Sequence, residues 1–460
     1  MRHTWQRTVA LFLVGQAITL FGTMITGHAI SWYVTLQTQS GTVLTLFTVA
    51  MMVPMALSSP LGGVWADRYN RKYLINLVDG AIALVTLVMA LFFSAGFEWL
   101  GLLFVCVVIR GFGQGIQMPT VTAILPDIVP PDQLVRVNGF NASIQSLSMF
   151  ASPMIAAALL TFFPIQILMY IDVVTAAIGI AIVFFFVHTH KGMRRIPGAS
   201  ATAGAAAGGG GAAVGAGAAG AAAGIAAAGA PDRPGFLSEF KAGLRYMWRN
   251  PFILAFTLLS IVFSILATPP SFLTPLQVVR DFGADPWRLG AIEVAFAVGM
   301  MAGGVLIGIW GGFKNRTWSM ALATTLFGAG TIGLGLLGNF WVYLGCMLFV
   351  GITLPVFNAP SMAILQARVD PDYMGRVFSV SMMAGSLAMP VGMVVFGPLA
   401  DVVSIDWLLV GTGAGIMLLG ACVVASRTLR QAGLLPEPPI GTPVEMPDGE
   451  TPADPTVEGQ

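Results

Sequence analysis

Four ionisable residues lie inside long apolar stretches of this 460-residue sequence: Asp79, Arg110, Asp172 and Glu293. A charge in such a stretch is costly to bury, so each of these residues is a functional candidate by default. A buried carboxylate is suited to carry a proton, because desolvation disfavours its charged form and a nearby arginine favours it. We therefore take Glu293 first, then Asp172, and also Asp79 and Arg110, as candidates for proton coupling.

Each of these residues also has a purely structural interpretation. A buried acid can be hydrogen-bonded within the fold or can face interfacial water. For Asp79 two such roles are open: it braces the polar loop that precedes it in sequence, or it pairs with Arg110. His28 titrates near neutral pH, but on a helix it points away from the other polar residues of its segment, so it is a weak candidate.

The first apolar stretch carries a polar stripe at helical spacing. Its members are Gln16, Thr19, Thr23 and Thr26. Residues three and four apart lie on one face of a helix, and polar groups inside a membrane face protein or a water-filled cavity. We predict that this stripe, together with Arg110 and Glu293, lines a substrate cavity.

The composition points to a membrane protein. Hydrophobic residues make up 56% of the chain and charged residues 9%, whereas a soluble domain carries about 25% charged residues. The net charge of +1 leaves no basic surplus for nucleic acid. Three cysteines and four histidines provide few ligands, so we predict no metal site and no cofactor.

Twelve apolar segments are each long enough to cross a bilayer, which takes about 20 residues. With the N-terminus in the cytoplasm, 19 of the 22 Lys and Arg residues fall on the cytoplasmic side. This distribution predicts that both termini are cytoplasmic. The predicted parts of the chain are a six-helix half over 1–190, a cytoplasmic Ala/Gly-rich linker with an amphipathic segment over 191–250, a second six-helix half over 251–430, and a disordered cytoplasmic tail over 431–460.

The two halves contain an internal repeat. The segment 124–137 matches 364–377 at seven of fourteen positions, and the loop residues Trp65, Asn70 and Arg71 align with Trp310, Asn315 and Arg316. Because each unit has an even number of spans, both units have the same topology. The fold class is therefore an all-α membrane protein with 12 transmembrane helices in two parallel-related six-helix halves and a substrate site between them.

A charged loop separates the second and third spans, and six residues in or near it can make contacts between helix ends. They are Gly63, Asp67, Arg68, Arg71, Lys72 and the more distant Asp127. Gly63 allows close helix packing, and Arg71 can pair with Asp127. Asp67 can sit against the N-terminus of the eleventh span, where free N–H groups favour an anion. The basic residues also serve the simpler purpose of fixing topology.

This loop, Gly62-Gly-Val-Trp-Ala-Asp-Arg-Tyr-Asn-Arg-Lys72, resembles the signature G-x-x-x-D-R-x-x-R-[RK] of the major facilitator superfamily. Asn70 replaces the usual glycine of that signature. Stretches such as Gly397-Pro-Leu-Ala-Asp401 are similar to the macrolide-efflux and enterobactin-exporter branch, the third drug:proton antiporter group. The resemblance spans about residues 5–430. It implies that the six residues in and near the charged loop form a gate between the two halves.

The resemblance implies a secondary active transporter of a bacterial plasma membrane that works as a monomer. It would export amphipathic compounds, with macrolide-like drugs favoured, in exchange for protons and by alternating access. A siderophore, a lipid-like molecule or another metabolite is the alternative substrate. A membrane enzyme is disfavoured because the chain lacks H-E-x-x-H and G-x-S-x-G, and a non-transporting sensor is disfavoured by the intact motif loop.

Overall fold

The computed structural model describes residues 2–187, 245, 247–369 and 374–434. Its described residues are helical apart from short connections and one isolated bridge between Asn315 and Leu434. Nearly all of the predicted linker and amphipathic segment, and the tail beyond residue 434, lie outside the described residues.

Six long helices form the first half. They are α1 (Arg2–Thr38), α2 (Gly41–Arg68), α3 (Arg71–Ser94), α4 (Leu100–Ile128), α5 (Leu134–Phe162) and α6 (Ile165–Phe186). Polar caps set some of the boundaries. The Ser40 side chain accepts from the Val43 N–H at the start of α2, and the Asn70 side chain accepts from the Lys72 N–H at the start of α3, as expected of residues that satisfy free N–H groups.

The second half follows the same order after residue 250. Its helices are α7 (Pro251–Leu266), α8 (Thr274–Phe282), α9 (Pro286–Trp310), α10 (Arg316–Leu336), α11 (Phe340–Arg368), α12 (Met374–Val402), α13 (Ile405–Ala425) and the short α14 (Arg427–Ala432). A π-helical turn, Pro269–Leu273, joins α7 to α8, and the two together make one membrane-length segment, Pro251–Phe282.

The repeat in the sequence corresponds to a repeat in structure. Asn315 caps α10 by accepting from the Thr317 N–H, which is the role that Asn70 has at α3. The departure from the family signature at Asn70 is therefore a helix cap. Helix pairing agrees as well: α2 packs on α4 and α3 on α6, just as α9 packs on α11 and α10 on α13.

Within the described residues, eleven helical segments are long and apolar enough to cross a membrane. The eleventh predicted span corresponds to α12, whose apolar helical stretch Leu387–Val402 is shorter than the others. The protein is thus an all-helical, multi-pass membrane protein.

The halves meet mainly through α2 against α12 and α5 against α9. We call the end of the bundle that carries the α2–α3 loop the motif end, and the end that carries the α1–α2 loop the opposite end. On α9, Gly290 near the opposite end packs against Ala157 of α5 so tightly that an added Cβ would clash, while Gly308 has open space around its Cα. Gly308 is 18 residues away, about five turns, and so lies on the same face.

Helix α5, which packs against α9, is also close to the other half at the opposite end, and its glycine on the same face toward the motif end is free of close contacts among the described residues. Gly139 of α5 is also 18 residues from Ala157 and on the same face, and no atom of the described residues lies within 4 Å of where its Cβ would be. Met301, on the Gly290 face of α9 between the two ends, is 66% exposed. The halves therefore touch at the opposite end and separate toward the motif end, which leaves a cleft between them.

Candidate functional site

An ion pair lies in the middle of the first half. The Nη1 atom of Arg110 on α4 is 2.6 Å from Oδ2 of Asp172 on α6, and the two side chains are 4% and 1% exposed. Both residues were candidates from sequence, and the fold brings them together. An unpaired charge at this depth would cost several kcal/mol, so each residue stabilises the buried state of the other, on the order of that cost.

Hydroxyl groups from two further helices complete the pair. The Thr23 hydroxyl of α1 donates to Oδ1 of Asp172 at 3.0 Å. The Thr86 hydroxyl of α3 accepts from Arg110 and lies 3.3 Å from Oδ2 of Asp172. Arg110 also donates weakly to the Thr23 carbonyl at 3.4 Å. Four helices of one half thus meet at one buried, well-satisfied charge cluster.

A second polar contact lies two helical turns from the first. The Gln117 amide of α4 donates to Oδ1 of Asp79 of α3, and Asp79 is 3% exposed. The alternative in which Asp79 pairs with Arg110 is therefore wrong, because Asp172 occupies that arginine. Gln117 was missed in the sequence, although it follows Arg110 by seven residues and so lies on the same helix face.

The motif loop forms a third contact between the same two helices. Arg71 at the start of α3 donates to Asp127 near the end of α4 at 2.7 Å, and to the carbonyls of Ala66 at 2.9 Å and Ala123 at 2.7 Å. These contacts fasten the end of α2 and the ends of α3 and α4 to one another. Both partners of this contact belong to the first half.

The other motif residues are more exposed. The Asp67 side chain is 77% exposed and lies 3.4 Å from Arg71, and the residues just before α12, 370–373, lie outside the described residues. Arg68 is exposed, and the Lys72 ammonium lies 5.5 Å from the ring centre of Phe184. Close packing of α2 on α4 is made at Gly62, whose Cα faces the backbone of Ile116, while Gly63 is half-buried.

Polar contacts thus line the α3–α4 interface at three levels. From the motif end inward they are Arg71 with Asp127, Asp79 with Gln117, and Thr86 with Arg110 and Asp172. Asn76 lies one turn from Asp79 on α3, and its buried amide atoms have no hydrogen-bond partner among the described residues. The α3–α4 interface therefore carries polar groups at several depths between the motif end and the buried ion pair.

The stripe on α1 does not line the cleft between the halves, which corrects the prediction from sequence. Thr26 donates to the Leu168 carbonyl of α6 at 3.0 Å, and Thr19 packs against Gly179 of α6. Both threonines are buried inside the first half. The helical spacing was correct, but small polar residues also allow two membrane helices to approach closely. Gln16 is buried too, and its amide nitrogen has no hydrogen-bond partner among the described residues.

Glu293 contrasts with Asp172. It lies on α9 seven residues after Pro286, and it is partly buried. It follows Gly290, the contact point with α5, by less than one turn, so it lies beside the junction of the halves. No described residue donates a hydrogen bond to its carboxylate, whereas Asp172 receives donors from α1 and α4.

His28 has a local structural role. Its Nδ1 atom lies 2.8 Å from the Met24 carbonyl, and its ring centre is 5.9 Å from that of Trp32. Among the described residues, no group of three or more His, Cys, Asp or Glu side chains is placed to hold a metal ion.

Two helical halves that share one helix order and have a cleft between them are the architecture of membrane transporters built from parallel repeats. The comparisons with known proteins agree. A family model described as Major Facilitator Superfamily matches residues 12–283 and 268–457. This chain belongs to the major facilitator superfamily, which confirms the resemblance seen in the motif loop. Transporters of this superfamily are not an enzyme class.

Two relatives and one solved structure illustrate the match. Macrolide efflux protein A of Streptococcus pyogenes is 27% identical over 420 residues, which is 89% of this chain and 94% of the relative. The multidrug efflux pump Tap of Mycobacterium bovis is 21% identical, with 96% and 99% covered. The crystal structure of the nucleoside transporter NupG superposes with a TM-score of 0.60 at 13% identity, with 92% and 98% covered, so it shares the fold.

Proposed function

We propose that this protein is a secondary active exporter that exchanges amphipathic organic compounds, macrolide-like drugs foremost, for protons. It resides in a bacterial plasma membrane as a monomer with twelve crossings and both termini in the cytoplasm. The motif end is then cytoplasmic, and the described conformation opens inward. The observation that carries the proposal is the cleft that closes at one end and opens at the other, the geometry required for alternating access.

Two observations, the similarity to named efflux proteins and the cleft, support the proposed substrate class. Relatives named for macrolide efflux and multidrug efflux cover nearly the whole chain. On the helices that bound the cleft, Met301 of α9 is 66% exposed, and Gly308 of α9 and Gly139 of α5 have no described atom close to them. Methionine is a flexible, polarisable side chain that adapts to irregular apolar ligands. Such a surface suits large amphipathic compounds better than small polar metabolites.

We assign the coupling proton to Glu293. Asp172 is held as the partner of Arg110, and protonating it would leave a buried cation without a counter-charge. Glu293 has no described cationic partner that its protonation would leave unpaired. It also lies beside the junction at which the halves must separate. A carboxyl at this place can exchange its proton with water in one conformation and be enclosed in the other.

The test measures substrate-induced collapse of an imposed pH gradient in inverted membrane vesicles. The panel contains macrolides, other amphipathic drugs and catecholate siderophores. The variants are Glu293→Gln and, as a matched control on the same helix, Asp285→Asn, which removes a charge paired on the surface with Arg288. We expect one compound class to collapse the gradient in the parent and in Asp285→Asn but not in Glu293→Gln.

A second measurement separates coupling from folding. Glu293→Gln should still exchange labelled substrate between equal concentrations inside and outside the vesicles, because that exchange needs no net proton movement. If no compound of the panel collapses the pH gradient in vesicles with correctly inserted parent protein, drug:proton exchange is contradicted. Full gradient collapse by Glu293→Gln would contradict the assignment of the proton to Glu293.

A further inference from the structure

A cluster of charged and polar groups joins the two halves at the opposite end. Asp401, in the last turn of α12, accepts from the Ser40 hydroxyl at 2.8 Å, from the Gly41 N–H at 2.7 Å and from the Thr42 N–H at 2.9 Å. These donors are the N-cap and the first turn of α2. A carboxylate of the second half therefore binds the N-terminus of a helix of the first half, where free N–H groups favour an anion.

Arg280 of α8 completes the cluster. Its Nη2 atom lies 3.0 Å from Oδ1 of Asp401, and its Nη1 donates to the Ala400 carbonyl at 2.6 Å. The same guanidinium donates to the Gln39 carbonyl of the first half, from Nε at 3.1 Å and from Nη2 at 2.5 Å. Arg280 thus bridges the α1–α2 connection and the end of α12.

The backbone at this point is shaped for the contact. Gln39 has a φ of +47°, a left-handed conformation that is uncommon for a residue other than glycine. Gly41 has no side chain, and an added Cβ would clash with the Gly397 carbonyl of α12. One turn further along α2, the buried Thr45 hydroxyl donates to the Met393 carbonyl at 3.2 Å. The polar cluster therefore lies on top of a close helix–helix contact.

We propose that Asp401 and Arg280 form a latch that closes the opposite end of the transporter while the cleft is open at the motif end. Every hydrogen bond of the latch to Ser40, Gly41, Thr42 and Gln39 crosses between the halves, so all of them must break before the opposite end can open. The inference rests on the proposed function, because it concerns the alternation between two such states.

The latch is held by charge and is only partly shielded. The Arg280 and Asp401 side chains are 28% and 27% exposed, so the contact can hydrate as it opens. A fully buried ion pair would resist opening far more strongly. This intermediate burial suits a contact that is made and broken in each transport cycle.

The experiment measures distances between spin labels in purified protein reconstituted in lipid nanodiscs. One pair, Trp99→Cys with Trp407→Cys, reports the opposite end, where both tryptophans are exposed. The second pair, Tyr69→Cys with Lys314→Cys, reports the motif end. All labels are placed in a chain whose three native cysteines are replaced by alanine.

The latch variants are Asp401→Asn and Arg280→Gln, made separately and together. The matched control is Asp285→Asn, which removes an ion pair at the same end but within one helix. For each latch variant we expect the population with the opposite end open to rise on the order of tenfold, as the loss of a charge-assisted contact present in only one state predicts. The motif-end distance should shorten in parallel.

Unchanged distance distributions in both folded latch variants would overturn the proposal. Label distances that shift as much in Asp285→Asn as in the latch variants would also overturn the proposal. The effect would then come from any charge at this end and not from a contact between the halves. The population with the opposite end open should be similar in the double variant and in each single variant, because the two residues belong to one contact. The distances need no transported substrate, so a failed flux assay with shifted distances would reject the proposed function and leave the latch intact.

Discussion

At the motif end, the described ion pair between Arg71 and Asp127 joins two helices of the same half. At the opposite end, Asp401 and Arg280 hold the two halves together. The two contacts have similar chemistry, an arginine and an aspartate at helix ends, but only the second lies across the moving boundary. Contacts within a half are therefore expected to determine folding stability, and contacts between halves to determine which conformation is populated.

The largest expected effect comes from breaking the buried contact within the first half. Arg110→Gln leaves Asp172 as a buried charge without a partner, which costs about 3–5 kcal/mol. We expect a large fall in the thermal unfolding temperature in detergent and loss of transport. The double variant Arg110→Gln with Asp172→Asn should recover much of the stability. If Arg110→Gln unfolds at the same temperature as the parent, contacts within a half do not determine folding stability as expected.

The next effect concerns packing between the halves. Gly290→Leu places a side chain where Ala157 already lies, and overpacking a tight contact costs about 1–3 kcal/mol. Since the halves can relieve this strain by separating, we expect a longer Trp99–Trp407 label distance with little change in unfolding temperature. Gly308→Leu on the same face, where space is open, should leave the distances as they are. Equal effects of the two substitutions would contradict a cleft that is closed at only one end.

A smaller effect is expected at the motif loop. Arg71→Ala removes hydrogen bonds to Asp127 and to two carbonyls. Because water can replace these partners at a partly exposed site, we expect a net loss of about 1 kcal/mol in all. Thermal unfolding should register a loss well below that of Arg110→Gln. The label distances at the opposite end should be unaffected, because no latch residue is touched. A shift in those distances as large as that of Asp401→Asn would show that the motif contact acts across the halves.

The smallest effect is expected for Asp285→Asn. Its partner Arg288 lies three residues away on the same helix, and the Asp285 side chain is 53% exposed. Exposed pairs of this kind contribute about 0–1 kcal/mol. Unfolding temperature, label distances and flux should all stay close to those of the parent, which makes this variant the reference for the others. A measurable shift in any of the three would reveal a further role for this pair.

Several features could be predicted from sequence because they depend on local chemistry. The length of the apolar stretches predicts membrane helices, and the spacing of the motif loop and the internal match indicate the family and its two halves. The pairing of Arg71 with Asp127 was predicted from their opposite charges near helix ends, and the structure contains it. Asn70, which departs from that signature, was not interpreted until the structure placed it as the cap of α3.

Other features could not be predicted because they depend on which helices are neighbours. The stripe on α1 had the correct spacing, yet it packs against α6. The sequence suggested only Asp79 as a partner of Arg110, whereas the fold pairs Arg110 with Asp172. The sequence gives no sign that Asp401 and Arg280 share a contact, because they lie 121 residues apart. Asp401 also accepts from Ser40, which is 361 residues away.

The amino-acid sequence alone therefore predicts a multi-pass helical member of the major facilitator superfamily with a signature loop and four costly intramembrane ionisable residues. The packing of the helices shows which of these charges are satisfied, that Glu293 has no described hydrogen-bond donor, and where the two halves touch. An apolar environment makes it costly to leave a buried charge or polar group without a partner, so most of these groups require one. That requirement is visible in sequence, but the identity of the partner depends on how the helices pack.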